Sequence, residues 1–329
     1  MKPFEYASPT DLNQVEPLLG NGQDAAILAG GTDLIALMKD DVLTPKRLVN
    51  VKHLPRLGAV QVVPDALQIG CLARLADIAD HAFVRKSLPM LSEALDDAAS
   101  PQIRNMATIG GNLLQRPRCW YYRNGFGLLA LDKDGESLVR KGDNRYHAIL
   151  GNDGPALFVS PSTIAPVLIA YSAKVEILGT NGKTRYISLE DLYRIPKQEN
   201  EREHTIMPGE ILTAVVVPGK LLPAKAATYE VRQKHAFDWP LATAAVALAM
   251  NGNTVKSARV VMGHVAPIPW ISKEAEAALV GKPLNEQTAE AAGAAAVQNA
   301  KSLGQNSYKI QCARIAVKRA ILIAAGLPA

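Results

Sequence analysis

Two double-glycine segments, each followed by a small polar residue, are the parts of this sequence best suited to chemistry. The first is Ala29-Gly30-Gly31-Thr32-Asp33-Leu34 and the second is Thr108-Ile109-Gly110-Gly111-Asn112. Glycine tolerates positive φ and lets a ligand approach the backbone without a Cβ in the way. Successive N–H groups in a glycine turn can point into one concavity and bind phosphate oxygens. We therefore predict two turns that hold one dinucleotide or other diphosphate.

Asp33 has two interpretations in this arrangement. Its carboxylate repels phosphate, so we do not expect it to touch the diphosphate itself. It either accepts a hydrogen bond from a ribose hydroxyl or caps the helix predicted over Leu34–Lys39. A single Gly-Gly pair is more often only a tight turn. Two such pairs, each closing an apolar run, favour a shared ligand.

Short elements surround the first glycine segment. Ser8-Pro9-Thr10-Asp11 predicts the start of a helix in which Ser8 is the cap and Pro9 lies in the first turn. Ala25–Ala29 predicts a buried strand that leads into the glycines, and Arg47–Val51 predicts another. Strand, helix and strand in this order indicate a small α/β lobe.

A second set of elements surrounds the other glycine segment and continues beyond it. The predicted elements are a hairpin of Ala59–Val63 and Leu67–Ile69, helices over Leu72–His81 and Leu88–Ala99, a hairpin of Lys174–Leu178 and Thr184–Ile187 around Asn181-Gly182, a surface loop over Pro196–His204, and a buried strand over Ile211–Val217.

Pro218–Pro223 is the best candidate for a domain boundary, because it combines proline, glycine and lysine without periodicity. Beyond it the patterns predict a strand over Ala227–Arg232, an antiparallel pair of Leu241–Met250 and Val255–Gly263, and helices over Ser272–Val280, Glu286–Lys301 and Tyr308–Ala325.

The composition is that of a globular protein of two or three domains, with 329 residues, 48% hydrophobic and 20% charged. The net charge of +5 is spread along the chain and aromatic residues make up 5%. Nucleic-acid binding needs a basic stripe, often with stacking aromatics, so we expect no nucleic-acid partner.

Three widely spaced cysteines, Cys71, Cys119 and Cys312, form no C-x-x-C pair, which argues for a reducing compartment and against a zinc site. The N-terminus has no apolar signal segment, and the longest apolar run, Leu241–Met250, is half the length of a membrane span. We expect a cytoplasmic protein without a membrane span and without a bound metal.

The two glycine segments resemble the two flavin-diphosphate loops of the FAD-binding (medium) subunit of molybdenum hydroxylases. This is the family of xanthine dehydrogenase, carbon monoxide dehydrogenase and aldehyde oxidoreductase, and the nearest type is the flavin subunit of aldehyde oxidoreductase or 4-hydroxybenzoyl-CoA reductase. Pro208-Gly209-Glu210-Ile211-Leu212 is similar to the strand before the family's domain boundary. Residues 222–329 look like its small C-terminal domain.

The resemblance implies an α+β protein with the FAD-binding fold of the vanillyl-alcohol-oxidase (p-cresol methylhydroxylase, PCMH) class. Two α/β lobes hold FAD, and a C-terminal α+β domain of the CO dehydrogenase flavoprotein type follows. The implied domains are residues 1–55, residues 56–220 with an insertion over 115–147, and residues 221–329.

The resemblance also implies a function. FAD, bound non-covalently, receives electrons from iron–sulfur clusters of a partner and passes them to an external acceptor, which is NAD, a quinone, ferredoxin or oxygen. The partners are a large molybdopterin subunit and a small subunit with [2Fe-2S] clusters. No catalytic residue is assigned to this chain. The implied FAD-binding residues are Leu28, Ala29, Gly30, Gly31, Thr32, Asp33, Leu34, Ala99, Thr108, Gly110, Gly111, Asn112, Ser162, Thr163 and Leu212.

The sequence departs from the family pattern at two positions. Thr163 stands where the family has an aspartate, so a hydroxyl replaces a carboxylate contact to the cofactor. Glu230 stands where a basic residue is common, with Arg232 and Lys234 nearby.

The insertion resembles a subgroup whose flavin subunit carries an additional [4Fe–4S] cluster. Such a cluster needs about four cysteine thiolates, and Cys119 is alone there, so we predict no cluster. Trp120, Tyr121 and Tyr122 either shield the flavin, pack against the iron–sulfur partner or belong to ordinary packing. Arg145 and His147 either touch the adenosine or, as we expect, lie on a solvated surface.

Two other functions stay open. A free-standing FAD-dependent oxidoreductase of the same fold would need a general base over the flavin. A non-catalytic assembly module would use the glycine segments only as structure.

Overall fold

A computed structural model describes residues 1–20, 22, 24–180, 182–219, 225–234 and 237–329. In this part of the chain the strands form three sheets. The first sheet has three parallel strands in the order β1-β3-β2, and helices α1 and α2 accompany it. Its elements are β1 Glu5–Ala7, α1 Val15–Leu19, β2 Ala25–Leu28, α2 Leu34–Lys39 and β3 Arg47–Asn50. The predicted strand-helix-strand order of this lobe is confirmed.

The second sheet has five antiparallel strands in the order β4-β5-β8-β6-β7. Its strands are β4 Val60–Val63, β5 Ala66–Gly70, β6 Lys174–Leu178, β7 Thr184–Ser188 and β8 Ile211–Pro218. Eight helices lie between β5 and β6, where every residue is described: α3 Leu75–Asp80, α4 Ala82–Ser87, α5 Pro89–Asp97, α6 Pro101–Arg104, α7 Ile109–Leu113, α8 Trp120–Arg123, α9 Leu138–Lys141 and α10 Ile164–Ala170.

Alternating side chains of the five-stranded sheet form the largest apolar core of the protein. Ile69, Val175 and Val215 are fully buried at its centre, and α5 and α10 add Leu91 and Leu168. Both predicted strand pairs are present, β4 with β5 and β6 with β7. Asn181 of the second predicted turn lies outside the described residues.

The third sheet has four antiparallel strands in the order β12-β11-β10-β9, covered by three helices. Its elements are β9 Lys225–Val231, β10 Ala242–Asn251, β11 Thr254–Gly263, β12 Trp270–Ile271, α11 Lys273–Leu279, α12 Glu286–Ala296 and α13 Tyr308–Ala325. Alanines let α12 and α13 approach closely, and a Cβ added at Gly293 would lie 2.7 Å from the Arg314 carbonyl oxygen. The predicted antiparallel pair and the three helices are confirmed.

One local prediction is wrong and another holds only in part. Ser8 does not cap a helix; a 3₁₀ turn begins at Leu12, and the Asp11 carboxylate accepts from the Asn13 N–H at 2.8 Å. Asp11 adjoins that turn, whereas the Ser8 hydroxyl accepts from the Asn50 side chain. The surface loop predicted over Pro196–His204 ends in two buried residues, because Glu203 pairs with a buried arginine of the insertion.

Residues 220–223 of the predicted boundary segment lie outside the described part of the chain, so the domain limits stay a prediction. Among the helices that the structure describes, none has the length and apolarity needed to cross a membrane.

Candidate cofactor site

The first glycine segment connects β2 to α2. Gly31 has φ +76°, a conformation that favours glycine. Within the described chain, the N–H groups of Gly30, Gly31, Thr32 and Asp33 donate to no acceptor. Thr32 is exposed. This segment therefore offers consecutive backbone donors at an accessible position, which is the arrangement that phosphate oxygens require.

The second glycine segment is not a turn, which corrects the prediction. Residues Ile109–Leu113 form helix α7, and the Thr108 hydroxyl caps it by accepting from the Gly111 N–H at 3.1 Å. The Ile109 and Gly110 N–H groups donate to the carbonyls of Ala73 and Cys71. These carbonyls and the cap favour a helical turn. What this segment offers a ligand is side chains and open space, rather than free N–H groups.

The first glycine segment lies against the two residues that precede the second. A Cβ added at Gly30 would be 2.0 Å from the Met106 carbonyl oxygen and 3.1 Å from the Ala107 Cα. A Cβ at Gly110 would be 2.9 Å from the Cys71 carbonyl oxygen. Both glycines therefore permit a close backbone approach. An added Cβ at Gly111 would meet only the Thr108 hydroxyl, at 3.1 Å, and Gly111 is exposed.

Ser162 and Asn112 connect the second glycine segment to α10. The Ser162 hydroxyl donates to the Asn112 side-chain oxygen at 2.7 Å and accepts from the Ala165 N–H. Thr163 follows at the start of α10 and is buried. Helix α7 packs against both α10 and β8, the strand that carries the buried Leu212.

Ala99 lies just before α6. It has φ +53°, and its carbonyl oxygen accepts from the Arg104 guanidinium at 2.8 Å. Helix α6 leads directly to Met106, which the first glycine segment contacts. Arg104 therefore links Ala99 to the chain just before that contact. Leu28 is buried at the end of β2, and Ala29 and Leu34 are half-buried on either side of the first segment.

The Asp33 carboxylate binds the insertion over residues 115–147. It accepts from the Arg116 N–H at 2.9 Å and from the guanidinium of Arg123 at 2.8 Å, and Arg118 lies at 3.2 Å. It makes no side-chain cap on α2, so the capping interpretation is wrong. The reason is that three donors of the insertion occupy the carboxylate.

A buried ion pair extends this network. The Arg116 guanidinium lies 2.5 Å from a Glu203 oxygen and over the Tyr122 ring, 5.0 Å from its centroid. Burial alone would raise the pKa of Glu203, but the charge of Arg116 holds it below its ordinary value. Sequence reasoning missed this pairing. The available signal was three arginines within residues 116–123, which need acidic partners if the insertion is packed.

His147 is buried, so the prediction that it lies on a solvated surface is wrong. Its Nε2 lies 3.2 Å from the Cys119 Sγ, and Trp120 and Tyr121 pack around its ring. Burial raises the pKa of the Cys119 thiol. Among the described residues, no cluster of three or more histidine, cysteine or acidic side chains is arranged to hold a metal ion.

Glu230 and Arg232, at the departure from the family pattern, form an ion pair beside α5. The Arg232 Nε donates to the carboxylate at 2.8 Å, and the same guanidinium donates to the Asp97 carbonyl. Burial raises the pKa of Glu230 to about 7, although the arginine opposes this shift. At this position an acidic and a basic side chain, paired with each other, therefore stand in place of the single basic residue of the family pattern.

Comparison with known proteins covers nearly the whole chain. Residues 2–220 match the family described as the FAD binding domain in molybdopterin dehydrogenase, and residues 227–324 match the CO dehydrogenase flavoprotein C-terminal domain. The aldehyde oxidoreductase FAD-binding subunit PaoB of Escherichia coli (strain K12) is 34% identical over 301 residues, which cover 88% of each chain. The carbon monoxide dehydrogenase medium chain of Hydrogenophaga pseudoflava is 28% identical and covers 97% of this chain and 96% of its own.

A solved structure of carbon monoxide dehydrogenase from Hydrogenophaga pseudoflava, lacking the Mo-pyranopterin moiety of its molybdenum cofactor, has the same fold. The superposition has a TM-score of 0.77 at 26% identity and covers 99% of this chain and 98% of the other.

Proposed function

This chain belongs to the family of FAD-binding subunits of molybdopterin dehydrogenases, and we propose that it transfers electrons through FAD within a molybdenum-containing hydroxylase or dehydrogenase. It would receive them from iron–sulfur clusters of a partner subunit and pass them to an external acceptor. Bound FAD supplies the ability to take up single electrons one after the other and to release them as a pair.

The observation that carries the proposal is the contact between the first glycine segment and the residues that lead into the second. The Gly30 backbone lies so close to the Met106 carbonyl that a single added Cβ would be 2.0 Å from it. The segment with the unpaired N–H groups of Gly30–Asp33 thus packs against the residues that lead into α7, the helix in which Gly111 is exposed. A diphosphate is the part of FAD that consecutive backbone donors and a face without a side chain suit best.

The other proposed residues would act around that diphosphate. The Thr108 hydroxyl and the Asn112 amide are polar groups on the Gly111 side, and Ser162 orients Asn112 through its 2.7 Å hydrogen bond. Ala99, Thr163 and Leu212 lie on elements that pack around α7 or lead to it. Asp33 would position the insertion over this region, because its carboxylate is bound by that segment.

The proposed partners are a large molybdopterin-binding subunit and a small subunit with [2Fe-2S] clusters, in a heterotrimer located in the cytoplasm. The support is the similarity to PaoB, an FAD-binding subunit, and to a medium chain, both names that denote one component of a larger enzyme. The substrate would then be oxidised on another polypeptide.

The test is to purify the tagged chain from cells that express it naturally. We expect a flavin absorption spectrum, release of about one FAD per chain on denaturation as expected for non-covalent binding, and co-purification of two further subunits containing molybdenum and iron. The absence of flavin would contradict the proposal and favour the assembly module. A lone flavoprotein that its own substrate reduces would instead identify the free-standing oxidoreductase.

A further inference from the structure

Glu230 on β9 has a carboxyl group of which only one oxygen is satisfied. Its side chain is 7% exposed, and the Arg232 guanidinium binds Oε2 through two donors. The other oxygen, Oε1, is buried and has no hydrogen-bond partner in the described chain. Desolvation disfavours an ionised carboxylate, most of all at an oxygen that accepts no hydrogen bond. This carboxyl therefore binds a proton more readily than a solvated glutamate does.

The register of the C-terminal sheet places Glu230 on the face that meets α5 and α10. Glu230, Thr243 and Gly263 are partners across β9, β10 and β11, so they lie on one face of the sheet. Two positions along, the same face carries Ala245 and Val261, which belong to the apolar core shared with α5 and α10. The opposite face packs against α11, α12 and α13.

The two helices on this side carry or adjoin residues of the proposed FAD site. Asp97 ends α5, and its carbonyl oxygen accepts from the Arg232 guanidinium at 2.8 Å. Ala99, one of the proposed FAD-binding residues, follows two positions later. Helix α10, which contacts β10 and β11, has Thr163 as its N-cap residue. The Glu230–Arg232 pair is therefore attached to the chain that forms the proposed site.

Charges from β9 and α5 act on the Glu230 carboxyl. Burial has the largest effect and raises the pKa of Glu230 to about 7. Arg232 opposes this rise, whereas the negative charges of Asp97 and Glu93 on α5 add to it. At pH 7 the carboxyl is therefore close to half protonated, the condition in which it responds most to a change in nearby charge.

The other described elements around this carboxyl hold their charges in pairs or on the far face. Arg259 of β11 is paired with Glu190. His264, just after β11, is neutral at pH 7 because burial lowers its pKa to about 3. Arg319 of α13 lies over the Tyr229 ring, on the opposite face of the sheet. Neither β10 nor α10 carries a titratable side chain.

An added negative charge near the pair would favour the protonated carboxyl. At the effective dielectric constant of a protein site, a unit charge about 10 Å away changes an ionisation constant by on the order of tenfold. Glu230 can therefore respond to reduction of FAD without touching it. A proton can arrive from solvent beside Arg232, whose side chain is 18% exposed.

We propose that Glu230 takes up one proton from solvent when the FAD of this chain is reduced, and returns it when the FAD is reoxidised. The inference rests on the proposed function, since it requires FAD beside Ala99. The electrons come from the iron–sulfur clusters of the partner and leave to the external acceptor. At Glu230 only the O–H bond of the carboxyl forms and breaks, so it acts on FAD through its charge and is not a catalytic residue.

The test follows the flavin absorption of the purified complex during electrochemical reduction between pH 6 and 8.5. Above pH 7, the equilibrium constant for adding an electron pair should fall with pH more steeply in the wild type than in Glu230→Gln. The difference should reach up to about tenfold per pH unit, or about 30 mV for a two-electron couple. At pH 6 the two proteins should agree closely, because Glu230 is then already protonated. A purely structural role would instead shift the potential equally at every pH.

Glu290→Gln is the matched control. Glu290 also pairs with basic side chains in the C-terminal part of the chain, and hydrogen bonds from Lys318 and Arg314 hold its pKa below its ordinary value. It stays ionised across this range of pH, so its replacement should leave the wild-type slope unchanged.

A second measurement keeps the test decisive if Glu230→Gln loses FAD or does not fold. The infrared difference spectrum between the reduced and oxidised wild-type complex at pH 7.5 should contain the C=O stretch of a newly protonated carboxyl, which shifts in D₂O. Glu230→Asp keeps a carboxyl and should move this band without removing it.

Parallel slopes in the wild type and Glu230→Gln, with FAD bound to both, would overturn this inference and leave the proposed function standing. An infrared spectrum without the carboxyl band would do the same, as would a slope that Glu290→Gln reduces equally. Absence of FAD from the wild-type protein would refute the proposed function itself, and this inference with it.

Discussion

Gly30, Gly110 and Gly111 differ in what surrounds an added Cβ. At Gly30 and Gly110 it would meet backbone atoms at 2.0 and 2.9 Å, so these glycines are required for packing. At Gly111 it would meet only the Thr108 hydroxyl. The two kinds of role are invisible in the sequence, where the three residues occur in similar Gly-Gly pairs.

We expect Gly111→Val to fold and to lose FAD, because its side chain would occupy the space proposed for the diphosphate. Gly30→Ala should instead lower the free energy of unfolding by about 1–3 kcal/mol or more, the cost of overpacking. The measurements are FAD content after gel filtration and urea unfolding. Gly58→Val, where an added Cβ has nothing within 4 Å, is the control. Normal FAD content in Gly111→Val would count against the proposed placement.

Asp33 shows how a residue in a predicted binding motif acts mainly on another part of the chain. Its carboxylate, 16% exposed, binds Arg123, which is equally buried, and the backbone of Arg116. Removing the charge leaves a buried guanidinium without its anionic partner, although two carbonyls still accept from it.

We therefore expect Asp33→Asn to lower the free energy of unfolding by about 3–5 kcal/mol, the usual cost of breaking a buried ion pair. The matched control is Asp24→Asn. Asp24 pairs with Lys46 at an exposed site, so the change should be within about 1 kcal/mol. Urea unfolding measures both, and equal effects in the two variants would show that Asp33 does not anchor the insertion.

At the scale of elements, α7 is a helix where the sequence predicted a glycine turn. Thr108 precedes a double glycine, and glycine is a poor helix former. The turn is nevertheless helical, because the Thr108 hydroxyl and the carbonyls of Ala73 and Cys71 satisfy its first N–H groups. Two of those three acceptors, the carbonyls of Cys71 and Ala73, follow the end of β5 and are distant in sequence.

Thr108→Val keeps the shape of the side chain and removes the cap, so we expect a loss of about 1 kcal/mol of stability. Ser137→Ala removes an equivalent cap at α9, where Ser137 accepts from the Arg140 N–H. Both variants should lose similar stability in urea, but only Thr108→Val should also bind FAD more weakly. Equal FAD affinity in the two would show that the Thr108 hydroxyl is only a cap.

At the scale of the whole molecule, buried titratable groups set the acid stability. Burial lowers the pKa of His147 and His204 to about 4 and that of His264 to about 3. The unfolded chain therefore binds more protons than the folded one between pH 4 and 6.5, and stability falls as the pH decreases through this range. Glu230, whose pKa burial raises to about 7, has the opposite effect between pH 4.5 and 7.

We expect a net uptake of about two protons on unfolding near pH 5.5, or roughly 2.7 kcal/mol per pH unit. His204→Gln should reduce this slope by about one proton, and Glu230→Gln should increase it by about one. Urea unfolding at pH 5.0, 5.5 and 6.0 gives the slopes, and His53→Gln, at an exposed imidazole, is the control. A slope that none of these variants changes would contradict the assignment of acid sensitivity to the buried groups.

The sequence by itself determined the α+β fold class, the family and the FAD-dependent function, and all three predictions are confirmed. They come from the family resemblance that the two glycine segments carry, whereas apolar periodicity and turn residues predicted the individual strands and helices. It also located most strands and helices within a few residues, since buried strands such as Ile211–Pro218 are continuous apolar runs.

Only the tertiary structure decided which groups these elements bring together. It paired Asp33 with arginines 83 to 90 positions away, buried His147 against Cys119, and joined the insertion to the C-terminal domain through Lys309. The sequence does not show whether a charged or polar side chain is solvated or buried. Its partner is fixed by the packing of distant segments, because burying such a group is unfavourable unless a hydrogen bond or an opposite charge compensates it.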